Sequence, residues 1–198
     1  NSAPLCGARG AFYTGAMTTT TPSSPSLSEL NAMAPQAFVA ALAEVFEYAP
    51  WVAETAQRQR PFASVEALHR SMLMAVRSRP LDQVVQFLCG HPELSAGAVH
   101  SGTLTSDSLQ EQQSAGLGEL PSEQAELLAR LNRSYRSRHG FPFIACVRHY
   151  TRAGLFAELA SRTERETEQE FAEALRQIGF ISGLRLAQRV GADTALVE

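Results

Sequence analysis

The sequence lacks both an excess of positive charge and any long apolar run. Its 198 residues carry 17 Lys and Arg against 20 Asp and Glu, so the formal net charge is −3 at pH 7. A protein that binds nucleic acid usually carries a basic excess, and a transmembrane helix needs roughly 18 or more consecutive apolar residues. The sequence therefore argues against a nucleic-acid partner and excludes a membrane-spanning helix. With 44% hydrophobic and 19% charged residues, it predicts one globular domain with its own core.

Cysteine and histidine are too few and too scattered to suggest a disulfide framework or a metal site. Cys6, Cys89 and Cys146 lie far apart, and no two of the five histidines have the i, i+4 spacing of a helical metal pair. A glycine-rich phosphate loop is also missing, so the residue pattern gives little support to a metal site and none to a phosphate-binding loop. Dispersed thiols are typical of a reducing cytoplasm. The final residues, 195–198, lack the Ser-Lys-Leu peroxisomal signal, which also favours the cytoplasm.

The first residues differ in composition from the rest of the chain. Residues 1–16 have no amphipathic period and precede a methionine, so we interpret them as a leader added for expression, ahead of a native start at Met17. Residues 17–26 consist almost entirely of Thr, Ser and Pro, which is typical of a flexible arm. The folded domain is expected to span residues 27–198.

Apolar residues recur at helical spacing through most of the chain, with no β-α alternation and no repeat. The clearest apolar stripe, at i, i+3, i+4 and i+7, is formed by Leu81, Val84, Val85 and Leu88. Helices are also predicted from Pro35, from Ser64 as an N-cap, over 106–115, from Pro121 to Gly140, and over 163–189. The last helix is expected to point Phe171, Leu175, Ile178, Ile181 and Leu184 inward. Gly90 is expected to adopt a left-handed conformation just past a helix end. The predicted fold is all-α, a single-domain bundle of about eight helices.

One segment, Phe141–Val147, has the composition of a β-strand. It is short, and no other segment of similar pattern is available to pair with it. We therefore expect an extended segment or the start of a helix at this position, not a strand.

The strongest candidate for chemistry among the histidines is His91. It lies between the predicted helix end at Gly90 and Pro92, so its backbone is restrained while its imidazole points out of a turn. An imidazole titrates near neutrality and moves a proton in either direction. It needs a carboxylate or a similar group to fix its tautomer, and Glu111 is a group of that type.

Three polar side chains of the following predicted helix share one face. Ser108, Glu111 and Gln112 fall at i, i+3 and i+4. Two interpretations of this trio remain open on pattern alone. It is either an exposed polar face or a hydroxyl, a carboxylate and an amide that complete a site around His91.

Arg185 lies at the edge of the inward face of the last predicted helix. A guanidinium at this position is placed to bind an anionic substrate through two parallel hydrogen bonds. The alternative is a structural ion pair with a glutamate. Four further arginines, Arg130, Arg133, Arg136 and Arg138, alternate with apolar positions, and we interpret them as a solvated face.

Several short motifs occur together and in this order in one known family. They are Glu47-x-x-Pro50-Trp51, Arg60-Pro61-Phe62, His91-Pro92-x-Leu94, Leu104-Thr105, Ser108-x-x-Glu111-Gln112 with Ala115-Gly116-Leu117, Leu131-Asn132-x-x-Tyr135, Gly140-Phe-Pro-Phe-Ile144, and Glu170-x-x-x-Ala174-Leu175 with Leu184-Arg185-Leu186. On these motifs the sequence resembles the decarboxylases of 2-oxo-4-hydroxy-4-carboxy-5-ureidoimidazoline (OHCU), which act in urate degradation. The resemblance covers about Leu27 to Val190. The sequence departs from the family at His139, where the family is usually apolar, and in the loop 95–102.

The resemblance implies an all-α, cofactor-free carboxy-lyase, commonly a homodimer, that yields (S)-allantoin. It implies His91 as the catalytic acid, with Glu111 and Arg185 completing the polar set. It also implies a substrate site lined by Pro92, Ser108, Glu111, Gln112, Phe143, Ile144, Ala145, Cys146, Val147 and Arg185. No metal is needed for this reaction, because a ring C=N beside the departing carboxylate accepts the electrons.

Two other functions stay open at this point. One is a different small-molecule lyase or hydrolase that uses the same pocket of His91, Glu111 and Arg185. The other is a helical adaptor or DNA-binding module, which requires a basic face and is disfavoured by the net charge of −3.

Overall fold

The computed structural model describes residues 24–97 and 104–190. Within these ranges the protein consists of α-helices joined by loops and 3₁₀ turns, without a β-strand, which confirms the all-α prediction. The nine α-helices of this part of the chain are α1 (Leu27–Ala32), α2 (Pro35–Leu42), α3 (Pro50–Ala56), α4 (Val65–Arg77), α5 (Leu81–Cys89), α6 (Ser106–Ser114), α7 (Ser122–His139), α8 (Arg152–Thr163) and α9 (Thr167–Arg189). None of these helices is both long and apolar enough to cross a membrane.

Some of the expectations concern residues outside the described ranges. These are the leader over 1–16, most of the arm over 17–26, residues 98–102 of the loop 95–102, and the residues after Val190. The described end of the arm is tied to the domain, because Ser24 Oγ donates to the Gln188 carbonyl at 3.0 Å.

Side-chain hydroxyls define where several helices begin. Ser26 forms a capping box with Glu29 at the start of α1. Ser64, Thr105 and Thr151 each accept a hydrogen bond from a backbone N–H in the first turn of α4, α6 and α8. The predicted N-cap at Ser64 is confirmed, and the cap at Thr105 fixes the start of the helix that carries the polar trio.

α9 is the longest helix, with 23 residues, and packs against α2, α4 and α7. Its fully buried face includes four polar side chains, Glu170, Gln177, Ser182 and Arg185. Of the five residues predicted to point inward, Ile178 is fully buried, and Phe171, Leu175 and Ile181 are partly buried and pack against the core. Leu184 is partly buried as well. Apolar periodicity did not predict the buried polar side chains, because their hydrogen-bond partners lie elsewhere in the chain.

The C-terminal third of the chain contains one helix more than predicted. Arg152–Thr163 forms α8, for which periodicity gave no prediction, and the last helix begins at Thr167 instead of residue 163. α8 packs against α7. The break between α8 and α9 matters for the site, because it lets Arg162 and Glu170 approach each other from two helices.

Gly90 is right-handed, with φ −73°, which contradicts the predicted left-handed helix end. Its N–H donates to the carbonyls of Gln86 and Phe87, and the N–H of His91 donates to the carbonyl of Leu88 at 3.1 Å. The last turn of α5 therefore tightens in the manner of a 3₁₀ turn. This turn keeps His91 directly against the end of the helix.

The segment after α7 is extended, as predicted. Gly140 has φ +82° and ends α7 in the left-handed conformation that glycine tolerates. Residues 141–146 then run without helix or strand pairing, and a 3₁₀ turn follows at Val147–His149. The backbone of such a segment must be fixed by side chains, because it has no ladder of its own.

Candidate active site

A cavity of about 40 Å³, open to solvent, lies between the end of α5, α6, α9 and the extended segment 141–147. All but one of the predicted site residues line it: His91, Pro92, Ser108, Glu111, Gln112, Phe143, Ile144, Ala145, Val147 and Arg185. Glu47, Leu94 and Ile181 line it as well, and were not predicted. Among the described residues, no group of three or more His, Cys, Asp or Glu side chains is placed to hold a metal ion.

Cys146 is the one predicted residue that does not line the cavity. Its side chain is buried, and its backbone N–H donates to Oε1 of Gln177 at 2.8 Å. Burial raises the pKa of the Cys146 thiol to about 11, so the thiol is protonated at neutral pH. The backbone of Cys146 therefore helps to anchor the extended segment, and the expected substrate contact stays a prediction.

The imidazole of His91 is oriented by a backbone carbonyl instead of a carboxylate. Its Nδ1 lies 3.2 Å from the carbonyl oxygen of Phe87. A carbonyl oxygen only accepts hydrogen bonds, so Nδ1 carries the proton and Nε2 is the nitrogen left for a ligand. The Phe87 ring packs edge-on against the imidazole, with ring centroids 4.9 Å apart. Glu111, the carboxylate expected to orient His91, is bound to Arg185.

The electrostatic environment keeps His91 neutral at pH 7. Burial lowers the pKa of the imidazole to about 4, because a buried site disfavours the charged form. The hydrogen bond to Phe87 and the negative charge of Glu47 oppose this shift, while the positive charge of Arg185 adds to it. In the resting site, Nε2 is therefore a proton acceptor.

Arg185 is held between two carboxylates. Its Nε and Nη2 donate to the two oxygens of Glu111, at 2.9 and 2.8 Å, in the parallel arrangement typical of arginine. Its Nη1 donates to Oε2 of Glu47 at 2.8 Å, and Nη2 also donates to Oγ of Ser108 at 3.0 Å. These bonds use four of the five guanidinium N–H groups, so one N–H on Nη1 has no partner among the described residues.

The cluster of Arg185, Glu47 and Glu111 contains more negative than positive charge. Burial raises the pKa of Glu47, but the charge of Arg185 and hydrogen bonds from Arg185, Ser108 and Thr105 outweigh burial and leave the pKa below its usual value. Glu47 is thus ionised while only 3% exposed. One guanidinium faces two carboxylates at the wall of this cavity.

The loop that follows His91 is fixed by two amide side chains. Gln112 donates through Nε2 to the carbonyl of Glu93 at 3.3 Å and accepts through Oε1 from the N–H of Ser95 at 3.2 Å. Asn132 on α7 donates to the carbonyl of Leu94 at 2.8 Å. Gln112 therefore both lines the cavity and holds the loop that carries the imidazole.

The extended segment is fixed from behind by a buried ion pair. Arg162 on α8 donates through Nη1 to the carbonyl of Ile144 at 3.0 Å, and its guanidinium stacks on the Phe143 ring at 4.5 Å from the centroid. Arg162 also pairs with Glu170, which accepts from the Tyr135 hydroxyl at 2.5 Å. Together with Gln177 on Cys146, these contacts hold two backbone groups and leave the other side of the segment to the cavity.

The sequence matches the family model described as OHCU decarboxylase over residues 31–187. That span covers α2 to α9 and every side chain of the cavity. The chain belongs to the OHCU decarboxylase family. This is a family of carboxy-lyases, so the resemblance seen in the motifs is confirmed.

Individual relatives agree with the membership. A 2-oxo-4-hydroxy-4-carboxy-5-ureidoimidazoline decarboxylase of Haloferax volcanii is 36% identical over 168 residues, which are 85% of this chain and 98% of the relative. The enzyme of the same name from Mus musculus is 35% identical over 166 residues, 84% of this chain and 93% of the relative. A crystal structure of (S)-allantoin synthase superposes with a TM-score of 0.68 at 26% identity, covering 84% of this chain and 54% of that one.

Within this member of the OHCU decarboxylase family, Glu47 is the charged residue of the cavity that residue patterns did not single out. Its signal was present in the motif Glu47-x-x-Pro50-Trp51, which carried part of the resemblance. No spacing rule linked Glu47 to Arg185, because the two residues are 138 positions apart and meet only in the folded chain.

Proposed function

We propose that this chain decarboxylates OHCU to (S)-allantoin and that the cavity at His91 is where the reaction takes place. The observation that carries this proposal is a neutral imidazole of fixed tautomer, with Nε2 free, in a cavity that Arg185 also lines. Membership of the OHCU decarboxylase family supports the choice of substrate.

The reaction needs an electron sink, and the substrate contains its own. When the bond between C4 and the carboxylate breaks, the electron pair forms a C4=C5 double bond and moves negative charge onto the ring nitrogen of the former C=N. The 198 residues contain no lysine, so they supply no side chain for a Schiff base, the usual protein-derived sink. The ring imine is therefore the acceptor in this scheme.

His91 acts as a proton relay in the proposed mechanism. As a neutral base, Nε2 accepts the proton of the 4-hydroxyl group while C4 becomes a carbonyl carbon. The same nitrogen then delivers that proton to one face of C5, which sets the S configuration. The ring nitrogen takes up one proton from solvent, so the conversion of the substrate anion to CO2 and allantoin consumes one proton overall. General acid–base assistance of this kind is worth about 10²–10⁴-fold.

Arg185, Gln112 and the backbone of the extended segment form the proposed binding surface for the rest of the substrate. Arg185 has one free N–H on the described part of the chain, and its bonds to Glu111 are the ones a substrate anion can replace. Hydrogen-bond donors that are fixed in place accelerate a reaction most when they point at the atom on which charge develops in the transition state. We therefore place the ring and its 4-oxygen against Arg185, with the ureido group towards the segment 143–147.

The test is the optical activity of the product. OHCU generated enzymatically in the cuvette is expected to yield (S)-allantoin with the purified chain, followed by circular dichroism, whereas uncatalysed decay yields racemic product. The proposed function fails if the chain neither accelerates the loss of OHCU nor makes the allantoin optically active. Turnover of a different small acid in the same cavity would then favour another lyase.

We also propose a cytoplasmic homodimer. The support is the resemblance to the OHCU decarboxylases, together with two free cysteines among the described residues, Cys89 and Cys146. Light scattering on a size-exclusion column distinguishes a mass of about twice 21.5 kDa from a single chain. Fractionation of the source cells tests the compartment.

A further inference from the structure

Glu47 is a buried carboxylate at the junction of two helices. It lies in the turn between α2 and α3 and is 3% exposed. The next residue, Tyr48, has φ +48° and a largely exposed side chain. A non-glycine residue in this conformation is uncommon, so the surrounding structure must enforce it. This left-handed turn sends the Glu47 carboxylate inward and the Tyr48 ring outward.

Three donors converge on the Glu47 carboxylate from two other helices. Thr105 Oγ1 donates to Oε1 at 2.8 Å, and Ser108 Oγ donates to Oε2 at 2.7 Å. Arg185 Nη1 also donates to Oε2, at 2.8 Å. Thr105 is the N-cap of α6, so the same carboxylate connects the start of α6 to the guanidinium on α9.

Glu111 is attached much less firmly. Its carboxylate is bound by Arg185 alone among the described residues. Its side chain is 17% exposed, against 1% for Glu47. A ligand that enters the cavity can therefore take the place of Glu111 on the guanidinium, but it cannot take the place of Glu47 without breaking three hydrogen bonds.

We propose that Glu47 is a positioning residue for the decarboxylation, which holds Arg185 and the Ser108 hydroxyl in place while the guanidinium exchanges Glu111 for the substrate. This inference rests on the proposed function. Without a second carboxylate, a guanidinium released by Glu111 has its long side chain free to rotate. With Glu47 in place, Nη1 stays fixed and Ser108 presents only a lone pair to a ligand, because its hydrogen is committed to Glu47.

The experiment compares Glu47→Gln with a matched control, Glu44→Gln. Glu44 lies three residues earlier and pairs with Arg189 at 3.2 Å, with its side chain 59% exposed. Misplacing a catalytic group by about 1 Å costs roughly 10²-fold, so kcat/KM of Glu47→Gln is expected to fall about 10²-fold. The control is expected to stay within twofold of the parent protein.

Two readouts separate positioning from a purely structural role. Glu47 and Arg185 are the charged groups that act on His91, and removing the negative one lowers the imidazole pKa further. The acidic limb of kcat/KM and the NMR titration of His91 are therefore expected to move to lower pH. The Arg185 Nε–H signal is expected to exchange faster with water. Both NMR readouts are independent of substrate, so they distinguish failure of this inference from failure of the proposed function.

A second variant covers the case in which Glu47→Gln does not fold. Thr105→Val removes the donor to Oε1 and also the N-cap acceptor for the Ser108 N–H, whereas Thr105→Ser, its control, keeps both; residue 105 does not line the cavity. We expect a loss of a few-fold in kcat/KM and the same direction of change in the Arg185 signal. Parent-like activity per folded molecule, with unshifted His91 and Arg185 signals, in either folded variant would overturn the inference.

Discussion

The protein buries two arginine–carboxylate clusters, which contain the same chemical groups but differ in the balance of positive and negative charge. Arg162 and Glu170 form one cation and one anion, both with fully buried side chains, and the partly exposed Arg165 lies 4.0 Å from the second oxygen of Glu170. Arg185 is a cation between two anions, Glu47 and Glu111, and its cluster opens onto the cavity. A third carboxylate, that of Asp107, lies 4.0 Å from Arg185 and is paired with Arg189. The first cluster lies behind the extended segment, and the second lies at the wall of the site.

The difference in charge balance suits the Arg162 cluster to a structural role and the Arg185 cluster to ligand binding. The Arg162 cluster has no second carboxylate to give up, and its remaining donor holds the Ile144 carbonyl. Breaking such a pair leaves a buried charge without compensation. The Arg185 cluster has one carboxylate more than the guanidinium needs, so one bond can be exchanged without leaving the cation alone. A buried arginine with surplus carboxylate at a cavity is therefore the better candidate for function.

The largest effect on activity is expected at His91, which lines the same cavity as the Arg185 cluster and belongs to no ion pair. His91→Asn keeps a donor for the Phe87 carbonyl but has no nitrogen that relays a proton. We expect kcat to fall by about 10²–10⁴-fold, with little change in the urea midpoint. Circular dichroism of allantoin formation and urea unfolding measure the two effects. A normally folded variant with full stereospecific decarboxylation would contradict the relay.

The closed cluster is tested by Arg162→Met. Removing the guanidinium leaves Glu170 buried and unpaired, which is expected to lower the free energy of unfolding by about 3–5 kcal/mol. The double variant Arg162→Met with Glu170→Met is expected to recover much of that loss. Arg136→Met is the control, since Arg136 is 47% exposed and pairs with Glu93 at 2.9 Å, and a change of at most about 1 kcal/mol is expected. Equal losses in Arg162→Met and the control would mean that the buried pair is not special.

The pH dependence of activity and of stability tests whether His91 is neutral in the folded protein. A relay through neutral His91 predicts that kcat/KM is constant near neutrality and falls about tenfold per pH unit below the imidazole pKa of about 4. Because this folded-state pKa lies below the unfolded value of about 6.5, the unfolded chain binds more protons between these values. Stability is therefore lost as pH falls from about 6.5 to about 4. His91→Asn is expected to remove this component of the unfolding profile, and an acidic limb at pH 6 or above would contradict the assignment.

The smallest effect is expected at an exposed ion pair close to the site. Glu93 and Arg136 form a bond of 2.9 Å, with side chains 37% and 47% exposed. Glu93→Gln is expected to change the unfolding free energy by about 0–1 kcal/mol. Activity is expected to stay within twofold, because Gln112 binds the backbone carbonyl of Glu93 and not its side chain. A larger loss of activity would show that the rim of the cavity takes part in the reaction.

The parts of the fold that follow local rules could be predicted from the sequence. Pro35 marks a helix start because proline has no N–H that needs a partner in the first turn. Ser64 marks one because its hydroxyl accepts a hydrogen bond from a first-turn N–H. The apolar face of α9 was predicted, but its buried polar side chains were not, because they depend on partners such as Arg162 and Glu47 that lie elsewhere in the chain. The predicted left-handed conformation of Gly90 was wrong, because α5 ends in a tight last turn in which Gly90 is right-handed.

The candidate site shows the same limit. His91, Glu111 and Arg185 could be singled out from residue type and spacing, and the structure brings all three to one cavity. Their pairing could not be read from the sequence. Glu111 was expected to orient His91, whereas it binds Arg185, and the Phe87 carbonyl orients the imidazole. A backbone carbonyl has no sequence signature, so this partner was beyond any motif.

The tightened end of α5 makes the site sensitive to heat in a particular way. The carbonyl that fixes the His91 tautomer belongs to the last turn of a helix, and helix ends fray at a lower free-energy cost than the core unfolds. When that turn opens, the imidazole is free to exchange its proton between the two ring nitrogens. Activity is therefore expected to be lost on warming at a lower temperature than the helical bundle unfolds. The temperature of inactivation would then measure the stability of the last turn of α5.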